Sequence, residues 1–240
     1  MRRASYIIKK NTKILDLHPE VEERPTSYIA QIYNQIKKSL INGELKPGEK
    51  LKIDSLKEIY NVGSTPIREA LTWLVADNLV QKIDQKGFVA TDSTIQDFKE
   101  ILKTRLWMEE VAFRKSMQNK KNIDAWEEEL IILCHRMEKR DWKEEYDPSN
   151  PNSWEMIHKK FHMTLISRCQ SEYLFKFCEQ LYDLNLRFRF MLIKKKKSYH
   201  KRPVNTEHGD ILKYVLKRDE NKAVNALIGH YKITDKYFEK

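Results

Sequence analysis

A tight turn running into a one-sided helix leaves the surrounding chain few ways to fold, and residues 61 to 71 read Asn-Val-Gly-Ser-Thr-Pro-Ile-Arg-Glu-Ala-Leu. Thr65 is placed to cap the helix by accepting a backbone N–H bond. Pro66 then falls at the first helical position, where its missing N–H costs nothing. Ile67, Ala70, Leu71 and Leu74 recur at i, i+3, i+4 and i+7 and make one apolar face. Arg68, Glu69, Thr72 and Trp73 are left pointing outward. A short helix is expected before the turn, from Asp54 to Tyr60, with Leu56 and Ile59 inward. Helix, turn containing Gly63, and a second helix that presents an arginine make a helix-turn-helix pattern. The same corner also occurs in cores that touch no nucleic acid, so the flanks decide.

Upstream, Ile29, Ile32, Tyr33, Ile36 and Leu40 keep a helical period that Asn42-Gly43 stops, and Lys46-Pro47-Gly48 turns the chain into Lys50-Leu51-Lys52. Downstream, Leu79–Ile83 and Phe88–Thr91 read as strands around the turn Asp84-Gln85-Lys86-Gly87. Three helices closed by a hairpin predict a winged helix-turn-helix. Ile41-Asn42-Gly43-Glu44-Leu45-Lys46-Pro47-Gly48-Glu49-Lys50-Leu51, then Thr65-Pro66-Ile67-Arg68-Glu69-Ala70-Leu71, then Lys86-Gly87-Phe88-Val89 resemble the GntR family of bacterial repressors. The chain departs from the family pattern at Gly63-Ser64, where Ser-Arg is usual, and at Asp77-Asn78, where Glu-Gly is common. Asn tolerates the left-handed conformation that ends a helix, so the second change is mild.

The resemblance implies sequence-specific binding to double-stranded DNA with a twofold-symmetric operator, by a homodimer. On the reading helix Ser64, Thr65 and Arg68 are the expected contacts, with Arg68 aimed at a guanine edge or a phosphate. Lys86 and Gly87 at the wing tip are expected beside the minor groove.

The chain of 240 residues is long enough for two domains, each with its own core. The expected division is a lead over 1–26, the winged domain over 27–91, a short polar linker over 92–94 and a helical domain over 95–240. The fold class is mainly α: the winged unit followed by an all-α antiparallel bundle. The lead is read as a flexible segment or an arm packed on the winged domain. There is no apolar run long enough to span a membrane and no signal peptide, so a cytoplasmic protein is expected. Cys134, Cys169 and Cys178 form no C-x-x-C pair and read as reduced core residues. The formal net charge is +10, yet the winged unit holds nine Lys/Arg against seven Asp/Glu. The excess lies in Arg187 to Arg202, with eight Lys/Arg and no acid, and Lys194 to Lys197 is read as a solvated helix end.

Helices are expected over Ile95–Met117, Ile123–Arg140, Ser153–Arg168, Glu172–Ile193, Val204–Arg218 and Glu220–Phe238, with a loop over Tyr146–Ser153. Helical offsets point four histidines into this bundle. His158 and His162 are i, i+4 on one face. His208 shares a face with Ile211, Leu212 and Val215, and His230 with Ala223, Ala226 and Leu227. Convergent imidazoles suit a divalent ion such as zinc or nickel, while hydrogen-bonded core histidines are the bland alternative. His158 to Leu165, with Glu207-His208 and His230, resembles the ligand-sensing domain (FCD) of the FadR-type branch of the family. The subgroup typified by the carbon-starvation-induced regulator resembles residues 27 to 238 nearly end to end. In that domain an Asp and three His hold a metal at the floor of the effector pocket, and His158 stands here in place of the Asp.

The resemblance further implies a small organic acid as effector, with Arg105 and Arg189 as its charge partners. Arg189 carries less weight, because its helix also bears the basic run. The expected activity is a regulator, not an enzyme. One alternative, a metal-dependent hydrolase, lacks the Glu that follows the first His of a zinc protease, since Lys159 occupies that place. The other is a ligand-independent DNA-binding protein with a structural histidine core.

Overall fold

The computed structural model describes residues 27–195 and 197–238. The lead over 1–26, Lys196 of the lysine run and the last two residues lie outside the described residues.

Helix α1 (Tyr28–Ile41) is capped by Ser27, whose hydroxyl accepts from the Ala30 amide at 3.2 Å. Asn42 and the left-handed Gly43 (φ 71°) end it. After the turn at 46–48 the chain runs beside the wing, with the Leu51 amide donating to the Phe88 carbonyl at 2.8 Å. Helix α2 (Ile53–Tyr60) and the reading helix α3 (Ser64–Ala76) follow, then the antiparallel strands β1 (Val80–Ile83) and β2 (Gly87–Ala90), paired from Val80–Ala90 to Ile83–Gly87. Ile32, Ile36, Leu56, Ile67, Leu71 and Leu74 are buried in the core these elements share.

Two local expectations are corrected. Gly63, not Thr65, is the cap of α3, so Thr65 and Pro66 occupy its second and third positions. Pro66 still sits in the first turn, where no N–H needs an intrahelical partner. Ile59, expected inward, is 64% exposed. The inward stripe of α2 runs through Ile53, Leu56 and Tyr60, and Ile59 lies about 90° off it at 100° per residue. Asn78, in place of the usual Gly, adopts the left-handed conformation (φ 60°).

The rest is helical: α4 (Ile95–Gln118), α5 (Ile123–Glu138), α6 (Trp154–Ile166), α7 (Glu172–Lys195), α8 (Val204–Leu216) and α9 (Glu220–Phe238). Thr94 and Asp97 form a reciprocal capping box at the start of α4, and Ser153 caps α6. Helices α5, α6 and α8 each end two residues before the expected positions. Helix α4 packs against α7 and α9, α5 against α6 and α8, and α8 against α9. Phe98, Phe113, Leu130, Phe161, Ile211 and Val215 are fully buried between them. The three cysteines are buried and unpaired, and burial pushes the thiols of Cys134 and Cys178 up to about 11 and about 12. No helix among the described residues is long and apolar enough to cross a membrane.

Helix α7 serves both units. Its Asp183 accepts from Lys37 of α1 at 2.7 Å, and its Arg187 donates to the carbonyls of Thr91 and Asp92 at 2.8 and 2.6 Å. Lys194 donates to the Asn42 carbonyl at 2.6 Å. The basic run is therefore not all solvated: Lys194, Lys195 and Lys197 are exposed, but Arg187 and Arg202 are buried.

Candidate functional site

The reading helix presents one polar face. Thr65 and Arg68 are exposed and Ser64 is half-buried at the helix start, with the Thr72 hydroxyl donating to the Arg68 carbonyl at 2.8 Å. Trp73, 44% exposed, rests against Tyr33 with ring centroids 6.0 Å apart. At the wing tip Lys86 and Gly87 are both exposed, and Gln85 (φ 61°) and Gly87 (φ 81°) take the left-handed conformations the tight turn requires.

Inside the bundle the four histidines converge. One ring nitrogen of each of His158, His162, His208 and His230 lies within 4.8 Å of the others, and all four rings are buried. His162 Nε2 is 3.0 Å from His158 Nε2 and 3.3 Å from His208 Nε2. Burial, reinforced by neighbouring histidines and arginines, holds His158, His162 and His230 well below the ordinary histidine value. Burial and Arg202 push His208 down to about 3. Neutral rings present lone pairs, which is the state a metal ligand needs.

The outer nitrogens are all engaged. His208 Nδ1 is 2.8 Å from the Val204 carbonyl, and His230 Nδ1 is 2.8 Å from Glu207 Oε2. His162 Nδ1 meets the Tyr231 hydroxyl at 2.8 Å, which in turn donates to Glu109 at 2.5 Å. His158 Nδ1 meets the Tyr182 hydroxyl at 2.5 Å, and that hydroxyl donates to Glu155 at 2.6 Å. Such outer partners orient the rings and raise their basicity, as metal-binding histidines require. The donor set therefore fits a divalent ion. It carries no charge of its own, unlike a set with an aspartate.

Above the cluster a cavity of about 20 Å³ is lined by His158, His230, Arg105, Arg189 and Arg202, with Trp154 and Asn185. Each guanidinium has its own glutamate: Arg105 with Glu109, Arg189 with Glu155, and Arg202 with Glu207 at 2.5 Å. Two buried cations and a third that is mostly buried, balanced by three carboxylates, are costly to desolvate. Arg105 and Arg189 both line this cavity, and Arg189 faces inward while the exposed lysines of the same helix lie beyond it.

Arg202, Glu155, Tyr182, Asn185 and Tyr231 belong to this site and were not singled out from the sequence. Tyr182, Asn185 and Arg189 fall at i, i+3 and i+7 of α7, a periodicity that could have found them. Arg202 was hidden among the lysines. Lys159, at the position of a protease glutamate, turns away from the histidines and pairs with Asp183 at 2.9 Å.

Residues 28–89 match the family described as bacterial regulatory proteins, gntR family, and residues 100–232 match the FCD domain. The chain is 33% identical over 208 residues to the HTH-type transcriptional regulator BphR of Paraburkholderia xenovorans, covering 85% of this chain and 82% of that protein. It is 33% identical to the HTH-type transcriptional repressor GlaR of Escherichia coli over 68% of this chain and 73% of that one. The fold is shared with a GntR regulator from Rhodococcus sp. RHA1, at a TM-score of 0.65, 17% identity and coverage of 88% and 97% of the two chains. It is shared also with McbR/YncC of E. coli, at 0.63, 21%, and 85% and 93%. The chain belongs to the gntR family of bacterial regulatory proteins, with an FCD domain behind its winged helix-turn-helix, and is a DNA-binding transcriptional regulator, not an enzyme.

Proposed function

We propose that the protein is a cytoplasmic homodimeric repressor whose grip on a twofold operator is released by a small organic acid, bound beside a zinc or nickel ion in the bundle. Residues 27–91 are the reading unit, 92–94 the linker and 95–240 the sensing unit. The observation that carries the effector is a set of unmet donors. Trp154 Nε1, Asn185 Nδ2 and Arg189 Nε are buried without a hydrogen-bond partner, and all three residues line the same cavity. Each unmet buried donor costs about 1–3 kcal/mol, and all three would be answered by a ligand rich in acceptors. A carboxylate is such a ligand, and the planar fork of arginine suits it. His158, His162, His208 and His230 would hold the ion, which supplies positive charge and open positions for a carboxylate oxygen.

The cavity has room for roughly one water molecule, so an organic acid enters only by moving its walls. That requirement ties occupancy to shape. Helix α7 forms one wall through Asn185 and Arg189, and their neighbours Asp183 and Arg187 bond to the winged unit. A ligand that prefers one placement of α7 shifts the spacing of the two reading helices in a dimer. The naming of GlaR as a repressor supports repression here.

Calorimetry of metal-loaded protein against a panel of small dicarboxylates tests the reading, with and without operator DNA. Linkage requires operator to weaken the acid by the same factor as the acid weakens operator. Equal affinity in both titrations would remove the switch. A purified protein with no bound metal, and unaltered acid binding after chelation, would leave the histidines a structural core.

A further inference from the structure

Helix α7 carries a second arginine two residues before Arg189, and two positions on a helix are about 200° apart. Arg187 therefore faces away from the histidines, into a cleft of about 370 Å³ between the end of α1, the turn at 46–47, the linker and α7. Its volume falls in the usual range of small-molecule sites, roughly 300–1,000 Å³. One wall is apolar: Leu40, Ile41, Pro47, Phe190 and Met191. The remaining side chains with charge are Lys46, Arg187, Lys194 and Lys195, and among the described residues no acidic one lines the cleft. Lys194 is partly answered by Glu145 at 3.5 Å.

Arg187 differs from the three arginines of the histidine site. It is 7% exposed, yet no carboxylate among the described residues lies within ion-pair distance of it. Its two terminal nitrogens are satisfied by the backbone carbonyls of Thr91 and Asp92, but its Nε has no partner. Burial pushes this guanidinium down to about 10 even with Asp97 and Asp92 in range. The hydroxyl of Ser93, on the same cleft, is also buried without a partner. A buried cation with no direct ion pair and an unmet hydroxyl therefore sit at the end of an apolar wall.

We propose that this cleft binds an amphipathic monoanion, an aliphatic chain ending in a carboxylate, as a second ligand separate from the acid at the histidines. One carboxylate oxygen accepts from Arg187 Nε and the other from the Ser93 hydroxyl. The chain lies along Leu40, Phe190 and Met191, and Lys46 and Lys195 draw the anion to the mouth. Such a ligand touches the winged unit and α7 together, so its occupancy fixes their relative placement.

Decanoate is the probe, titrated by calorimetry into the full chain, with decanol as its neutral counterpart. Expected is one saturable decanoate site per chain, at least about tenfold weaker for decanol and for Arg187→Gln, as the loss of a charge-assisted bond implies. Met191→Trp, which fills the cleft, should abolish binding, and the surface variant Lys46→Glu/Lys195→Glu should weaken it with the fold untouched. Because the cleft shares no side chain with the histidine site, chelation should leave the titration unchanged. Absence of saturation, equal affinity for decanol, indifference to Met191→Trp, or loss of binding on chelation would each overturn the proposal. The last would place the probe among the histidines instead.

Discussion

Arg68 and the four histidines show how the same helical period yields opposite outcomes for side chains of similar polarity. Arg68 stands exposed on the reading helix, opposite Ile67, Ala70, Leu71 and Leu74, none of which reaches solvent. A guanidinium so placed meets the donor and acceptor edges of a base only when DNA arrives. Arg68→Ala should lower operator affinity by about 1–3 kcal/mol if it reads a guanine bidentately, and the loss should be confined to operators that keep that guanine. Gel-shift titration against operator variants checks this, and a uniform loss across sequences would make Arg68 a phosphate contact. The histidines are the converse case. Each ring is fixed from outside by a carboxylate, a tyrosine or a carbonyl, so His162→Ala empties one corner of the donor set while the Tyr231 hydroxyl keeps its bonds to Glu109 and Arg105. Metal content per chain, measured by elemental analysis, should fall steeply in this variant, and an unchanged content would exclude His162 as a ligand.

Helix α7 is one element through which the two units meet, beside the bonds between Asn42 and Tyr146. Its Tyr182, Asn185 and Arg189 turn to the histidine site, while Asp183 bridges Lys37 of α1 and Lys159 of α6. Burial alone would raise the Asp183 carboxyl, but the two ammonium groups outweigh it and hold it below its ordinary 3.8. A carboxyl depressed on folding stabilises the native state above its unfolded value, and the contribution is lost as pH falls through the depressed one. Asp183→Asn keeps the shape and strands the buried Lys37, so it should cost about 3 kcal/mol in urea unfolding at pH 7. The difference from the native protein should shrink below pH 3.8. A variant as stable as the native chain at pH 7 would mean that the contact between α1 and α7 carries no energy.

For the whole molecule, the buried imidazoles set the response to acid. Their native values lie below the ordinary 6.5, so the unfolded chain takes up protons that the native chain refuses. Stability of the metal-free protein is therefore full above that value and falls as pH drops below it, by about 1.4 kcal/mol per pH unit for each histidine not yet protonated. Chelated protein should melt at a steadily lower temperature from pH 7 to pH 5, and bound metal, which also needs neutral rings, should flatten the upper part of that curve. A melting point that does not change over this range would mean that the folded rings take up protons just as the unfolded chain does.

Period and punctuation are local properties, and they suffice for much of this chain. The apolar rows of α1 and α3, the left-handed positions at Gly43 and Asn78, the wing turn and the six long helices follow from side-chain spacing and backbone sterics within a few residues. So does the inward aim of His158, His162, His208 and His230, because a helix face that carries Ile211 and Val215 has to be buried. What a buried face meets is not a local property. Ile59 lies outside because α2 is two turns long and packs along a different row, which only the neighbouring helices decide. Arg187, Arg189 and Arg202 read as one basic run, yet tertiary packing sends the first to the linker and the other two to the histidine site. Glu155, at the start of α6, becomes the partner of Arg189 and of Tyr182 only when α7 is laid beside it. Charge is countable along a chain, but whether a charge is desolvated and which counter-charge it finds depend on residues far away in sequence, and these the fold alone brings together.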